Sequence, residues 1–133
     1  MRKLLHASIM VALLPLPAMA ETPMTAAEFE AYSTGKTLTY AQGGVIWGTE
    51  QYNANRVVMW AFTDDECRAG YWYEDGDQIC FIYEDPADPK CWLFYLDASG
   101  MRARFATDPP EMELSEVANS AEPIGCLGPD VGV

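Results

Sequence analysis

Residues 70–83 read G-Y-W-Y-E-D-G-D-Q-I-C-F-I-Y. Two runs rich in aromatic and β-branched residues flank Asp75-Gly76, the dipeptide a tight hairpin needs because glycine accepts positive φ. Pairing Glu74 with Asp77 sets Trp72 opposite Ile79 and Gly70 opposite Phe81, where a missing side chain leaves room for the ring. The same rhythm continues outward in both directions. Strands are expected over 37–41, 45–52, 56–62, 67–74, 77–84, 91–97 and 101–106. Gly43-Gly44, Asn53-Ala54-Asn55, Asp64-Asp65, Asp85-Pro86 and Ser99-Gly100 separate the others. Links this short force neighbours to pair antiparallel. The expected fold is all-β: an up-and-down meander of about seven strands, curling into a small barrel or a strongly twisted sheet.

Carrying the hairpin register through the neighbouring turns assigns faces. Val57, Met59, Trp72, Ile79, Phe81, Tyr83, Trp92, Phe94, Leu96 and Phe105 fall on one side, the expected core. The other side carries Val58, Trp60, Phe62, Cys67, Tyr71, Tyr73, Cys80, Ile82, Cys91, Leu93, Tyr95, Arg102 and Arg104. That is too apolar for a fully solvated face, so a helix, tail, partner or ligand is expected to cover part of it.

Two segments flank the meander. Residues 24–35 read as one short helix. Thr25 and Glu28 form a T-x-x-E capping box, Gly35 supplies the stop, and Phe29 and Tyr32 share a face that can dock on a sheet. After Asp108-Pro109-Pro110 the pattern loosens. Residues 111–120 fit a weak helix or an added strand equally well, and 121–133 read as a strap tied down by Cys126.

The chain has 133 residues and net charge −12. Residues 1–20, MRKLLHASIMVALLPLPAMA, carry a basic start, an apolar stretch and Ala18-Met19-Ala20 where signal peptidase needs small residues. They read as a signal peptide, with 21–133 as one domain destined for the periplasm or the exterior. The leader holds the only histidine, His6, and two of the eight basic residues, so the mature net charge becomes −14. Loss of His6 excludes Ser-His-Asp catalysis and histidine metal sites from the mature domain, and little change in stability is expected between about pH 6 and 8. A domain this acidic repels nucleic acid and anionic membranes. No later apolar run is long enough to insert in a bilayer. A basic protein or a neutral or apolar small ligand is compatible.

Cys67, Cys80, Cys91 and Cys126 are an even set in an oxidising compartment, so two disulfides are expected. Four cysteines allow three pairings. If Glu84 pairs with Cys91, the apolar rows match best, but Cys80 and Cys91 lie four residues out of step. If residues 84–87 form the turn, Cys80 lies opposite Cys91 and Lys90 opposite Phe81. A bridge returns about 2–4 kcal/mol against about 1–2 for the mismatched row, which favours Cys80–Cys91 with Cys67–Cys126.

No catalytic or metal-binding motif is present, and no cofactor is implied. Asp64-Asp65-Glu66, Asp75 with Asp77, and Asp85 with Asp88 sit at turns, where aspartate is favoured for backbone reasons, and none has calcium-loop spacing. Trp60, Tyr71, Tyr73 and Tyr95 form a possible binding face with Arg102 and Arg104, an arginine pair able to clamp an anion.

The skeleton C-x2-G-x-W … I-C-F-x-Y … C-W over residues 67–92, with the opening M-T-A-A-E-F-E-A-Y, resembles a group of small exported Gram-negative proteins of unknown function. The resemblance implies a small disulfide-bonded β domain and no assigned activity. The expected role is non-enzymatic binding of a partner or ligand in the cell envelope. An acidic inhibitor of a basic envelope hydrolase and a small carrier of an apolar ligand are the alternatives.

Overall fold

A computed structural model describes residues 14–16, 20–63 and 66–126. Most of residues 1–20, the expected signal peptide, together with Asp64, Asp65 and the last seven residues, lie outside the described residues. Eight strands follow one another as β1 (Thr37–Gln42), β2 (Val45–Tyr52), β3 (Val57–Phe62), β4 (Arg68–Asp75), β5 (Gln78–Ile82), β6 (Lys90–Asp97), β7 (Gly100–Phe105) and β8 (Leu114–Ser120). Each pairs antiparallel with the next, and β8 pairs with β1, so the sheet closes into a barrel. The first seven occupy the expected places. The ambiguous stretch before Ser120 is the eighth strand: Leu114 lies opposite Ala103 and Asn119 opposite Leu38. Seven strands would leave two open edges, and the eighth removes both.

The central hairpin turns one step later than expected. Asp75 pairs with Gln78 and Trp72 with Phe81, and Gly76 takes the turn at φ 61°. A slip of two residues keeps every side chain on its face. The space at Gly70 therefore serves the Ile82–Tyr83 step: a Cβ there would lie 2.3 Å from the Ile82 carbonyl oxygen and 2.8 Å from the Tyr83 ring.

The expected faces hold from β4 to β7 and fail at β3. Val58 pairs with Gly70, which turns Val58 and Trp60 inward and leaves Val57 44% exposed. The connection between β3 and β4 carries one residue more or fewer than simple alternation requires, and one residue reverses a face. Leu96, expected in the core, lies near the end of β6 and is 49% exposed, whereas Met101 opposite it is fully buried.

Helix α1 (Ala26–Ser33) has both halves of its capping box, with the Thr25 hydroxyl accepting from Glu28 N–H and the Glu28 carboxylate from Thr25 N–H. It does not lie on a sheet face. It closes one barrel end and sets Phe29, fully buried, among Tyr52, Trp72, Phe81 and Phe94 at centroid distances of 5.6, 5.0, 6.3 and 4.5 Å. Met24 N–H donates to Phe94 O at 2.7 Å and Gly35 N–H to Tyr52 O at 2.8 Å, pinning the chain before and after the helix.

Both disulfides are those favoured above, Cys67–Cys126 and Cys80–Cys91. Cys80 lies opposite Cys91 with Lys90 opposite Phe81, so the observed register accommodates the cross-link at the expense of the apolar row. The tail crosses the outside of β1 and β2 on its way to Cys67: Thr37 Oγ1 donates to Glu122 O, and Ile124 N–H to Gln51 Oε1.

Candidate functional site

Opposite α1 the barrel is open. A cavity of about 460 Å³ enters from the connections around Glu84, Asp88 and Asp108 and reaches Tyr52, Phe81 and Phe94, the rings that pack on Phe29. Phe29 is thus the floor beneath it.

Its walls come from a bulge and a glycine. Tyr40 pairs with Gly48 and Ala41 with Ile46, leaving Trp47 without a partner across the strand. A bulge re-aims a side chain, and Trp47 joins Trp60, Phe62 and Trp92 at 5.5, 5.3 and 5.9 Å. Trp92 meets Phe105 edge-on at 5.0 Å. Gly48 is obligatory beside this cluster, because a Cβ would come within 2.3 Å of the Trp60 ring.

Among these rings sits a carboxyl. Glu50 lies on the inward row of β2 between Gly48 and Tyr52, opposite Trp60, and is 2% exposed. The Tyr83 hydroxyl donates to it at 3.0 Å. Tyr40 and Tyr52 share a hydroxyl–hydroxyl bond of 2.8 Å beside it. Burial pushes the Glu50 carboxyl well above the usual range, and the Tyr83 bond opposes that less strongly. Burial likewise raises all three phenols, so the cluster favours its uncharged form.

The expected binding face does not assemble. Trp60 points into the cavity. Tyr71 is 47% exposed on the outside, and Tyr73 is half-buried. Tyr95 is buried under Arg102 and Arg104, whose guanidinium carbons lie 5.3 and 5.1 Å from its ring. Arg102 pairs with Asp97 and Glu113 at 3.0 Å each and with Glu21, and Arg104 Nε lies 3.6 Å from Glu113. The protein's own carboxylates occupy the arginine pair. Hydrogen bonds from Ser99, then Arg102, hold the Asp97 carboxyl below its ordinary value.

The turn aspartates do turn work: Asp85 accepts from Ala87 N–H, and Asp88 takes the Lys90 ammonium at 2.7 Å. Among the described residues no group of three or more His, Cys, Asp or Glu could hold a metal ion, and no helix is long and apolar enough to cross a membrane.

Sequence reasoning misses Glu50 and Trp47. Glu50 is legible in principle, since Gly48, Glu50 and Tyr52 alternate along β2. Its inward face follows only once Trp60 is known to face in. Trp47 depends on a bulge that no residue pattern announces.

The arrangement defines an up-and-down barrel with one plugged end and one aromatic mouth. No family model, curated protein or solved structure matches the chain.

Proposed function

We propose that this protein is an exported, non-enzymatic binding protein that takes a small apolar or aromatic ligand into its barrel. The observation that carries the reading is the unfilled interior: about 460 Å³ walled by Trp47, Trp60, Trp92 and Phe105. Small domains fill their cores to crystal-like density. A void this large, apolar and reached from one side has the size and character of a small-molecule site. The leader and the two disulfides support export.

The experiment is native mass spectrometry of protein purified from its own cell envelope, followed by titration with the neutral probe N-phenyl-1-naphthylamine at low and high salt. A co-purifying small molecule, or probe binding that holds or tightens with salt, supports the reading. A co-purifying basic protein released by salt, with no probe binding, replaces it with the acidic-inhibitor reading.

A further inference from the structure

Three features of the cavity narrow the ligand further. The first is the wall. Indole faces attract cations as well as apolar groups, and an ammonium within about 6 Å of a ring centroid gains from it. The second is Glu50. A cavity meant for a neutral hydrocarbon gains nothing from a carboxyl at its depth, where burial is costly. Tyr83 donates to Glu50, which leaves its oxygens with acceptor capacity to spare. The third is the mouth. Four carboxylates, Glu84, Asp85, Asp88 and Asp108, line it against two cations, Arg68 and Lys90. Lys90 is held by Asp88 and Arg68 lies 3.9 Å from Glu84, so two carboxylates remain in excess. That charge, on a strongly acidic protein, repels anions and draws cations toward the opening.

We propose that the ligand is an organic cation, an aromatic or alkyl amine whose ammonium reaches Glu50 while its apolar body lies among Trp47, Trp60 and Trp92. This rests on the cavity reading above. Burial favours the neutral acid of Glu50 in the empty barrel. As the ammonium enters, the Glu50 O–H bond breaks, the proton leaves to water, and a carboxylate–ammonium pair remains. One proton is released for each amine bound.

Glu50 is the group that titrates. The other titratable groups facing it are Tyr40 from β1, Tyr52 from β2 and Tyr83 after β5, all kept neutral by burial. The rim charges stand further out and are exposed or half-exposed. Amine affinity therefore rises with pH by up to about tenfold per unit while Glu50 is protonated in the free barrel, until the ammonium itself titrates near about pH 10.

The test uses the mature protein and calorimetry with three probes of one shape: 3-phenylpropylamine, 3-phenylpropanol and 3-phenylpropionate. The expected order at pH 7 is amine, then alcohol, then carboxylate, with the amine tighter than the alcohol by about tenfold or more. Buffers of different ionisation enthalpy should show about one proton released with the amine and none with the alcohol. In Glu50→Gln, checked for fold by near-ultraviolet circular dichroism, the amine preference and the proton release should vanish. If the alcohol binds as well as the amine, the cation proposal is overturned and the cavity reading survives; amine binding that is flat between pH 6 and 9 overturns the coupled proton release. If no probe binds, the cavity reading falls as well. The probe series and the pH profile need only the wild-type protein, so they decide between these outcomes even if Glu50→Gln fails to fold.

Discussion

At one end of the barrel Phe29 is fully buried among four rings. At the other, Trp47, Trp60, Trp92 and Phe105 form a chain of ring contacts that line a cavity of about 460 Å³. Both ends draw on the same aromatic stock, so composition does not separate them. What does is the source of the filler. An eight-stranded barrel is just wide enough for its own side chains to fill it or for one small ligand to enter. At the closed end a segment from outside the sheet, α1, supplies the missing ring. At the open end no outside segment does, and the bulge sends Trp47 from β2 across to Trp92 on β6 instead. The two ends are also held differently. Packing holds the closed end, whereas both disulfides tie strands whose starts lie on the open side, Cys67 just before β4 and Cys91 in β6.

That contrast can be broken most directly by truncating one ring at each end. Phe29→Ala should cost about 3–5 kcal/mol, because a fully enclosed ring leaves both lost transfer energy and a cavity. Trp47→Ala should cost only about 1–2 kcal/mol, since its ring already borders open space, and should weaken ligand binding instead. Urea denaturation of both variants measures the difference. Equal costs would mean that the open end is packed as tightly as the closed one.

The cross-links provide a smaller and more graded comparison. Cys67–Cys126 spans 59 residues and Cys80–Cys91 spans 11. Chain-entropy arguments make the first worth about 4 kcal/mol and the second about 3. Replacing each pair by serine and measuring thermal stability should reproduce that order. The Cys80/Cys91 double variant has a second expected result. Freed of the bridge, β5 and β6 can move to the better-matched apolar row, which would shift Lys90 away from Phe81. Unchanged cross-strand contacts between Phe81 and Lys90 in that variant, read by nuclear Overhauser effects, would show that the bridge follows the register rather than setting it.

Those two ends are unequally legible in the sequence. The strands and the capping box are local, and alternation with turn chemistry reaches them; the disulfide pairing needs the bridge energy weighed against the mismatched row, because both registers keep the same faces. The helical pattern puts Phe29 on a docking face, but its destination inside the barrel depends on closure, a property of all eight strands together. The eighth strand itself is ambiguous because L-S-E-V-A-N-S satisfies two periods equally well. A single error of parity at β3 hides the open end. It moves Trp60 outside, and with it the reason to look at Glu50.

Glu50 also supplies the smallest and most specific prediction, one that the closed end cannot imitate. The absence of histidine after residue 20 suggests indifference to pH between 6 and 8. The buried carboxyl predicts the opposite. Its folded-state pKa is raised, so the native state holds a proton that the unfolded chain releases above about pH 4.3. The corresponding stability is complete below that pH and is lost as pH rises toward the folded value, at about 1.4 kcal/mol per unit. Asp97, whose pKa is lowered, acts in the opposite sense and in a different window: its contribution is present above about pH 3.9 and fades on acidification. The two do not overlap between pH 6 and 8. Glutamine mimics the protonated acid and cannot ionise in either state. Glu50→Gln should therefore gain on the wild type as pH rises toward the folded value of Glu50, by up to about 1.4 kcal/mol per unit, while Phe29→Ala keeps a constant deficit. Urea melts of the three proteins at pH 6, 7 and 8 measure both slopes. Parallel lines for Glu50→Gln and wild type would mean that the native protein already carries Glu50 as a carboxylate, and the open end would then be charged before any ligand arrives.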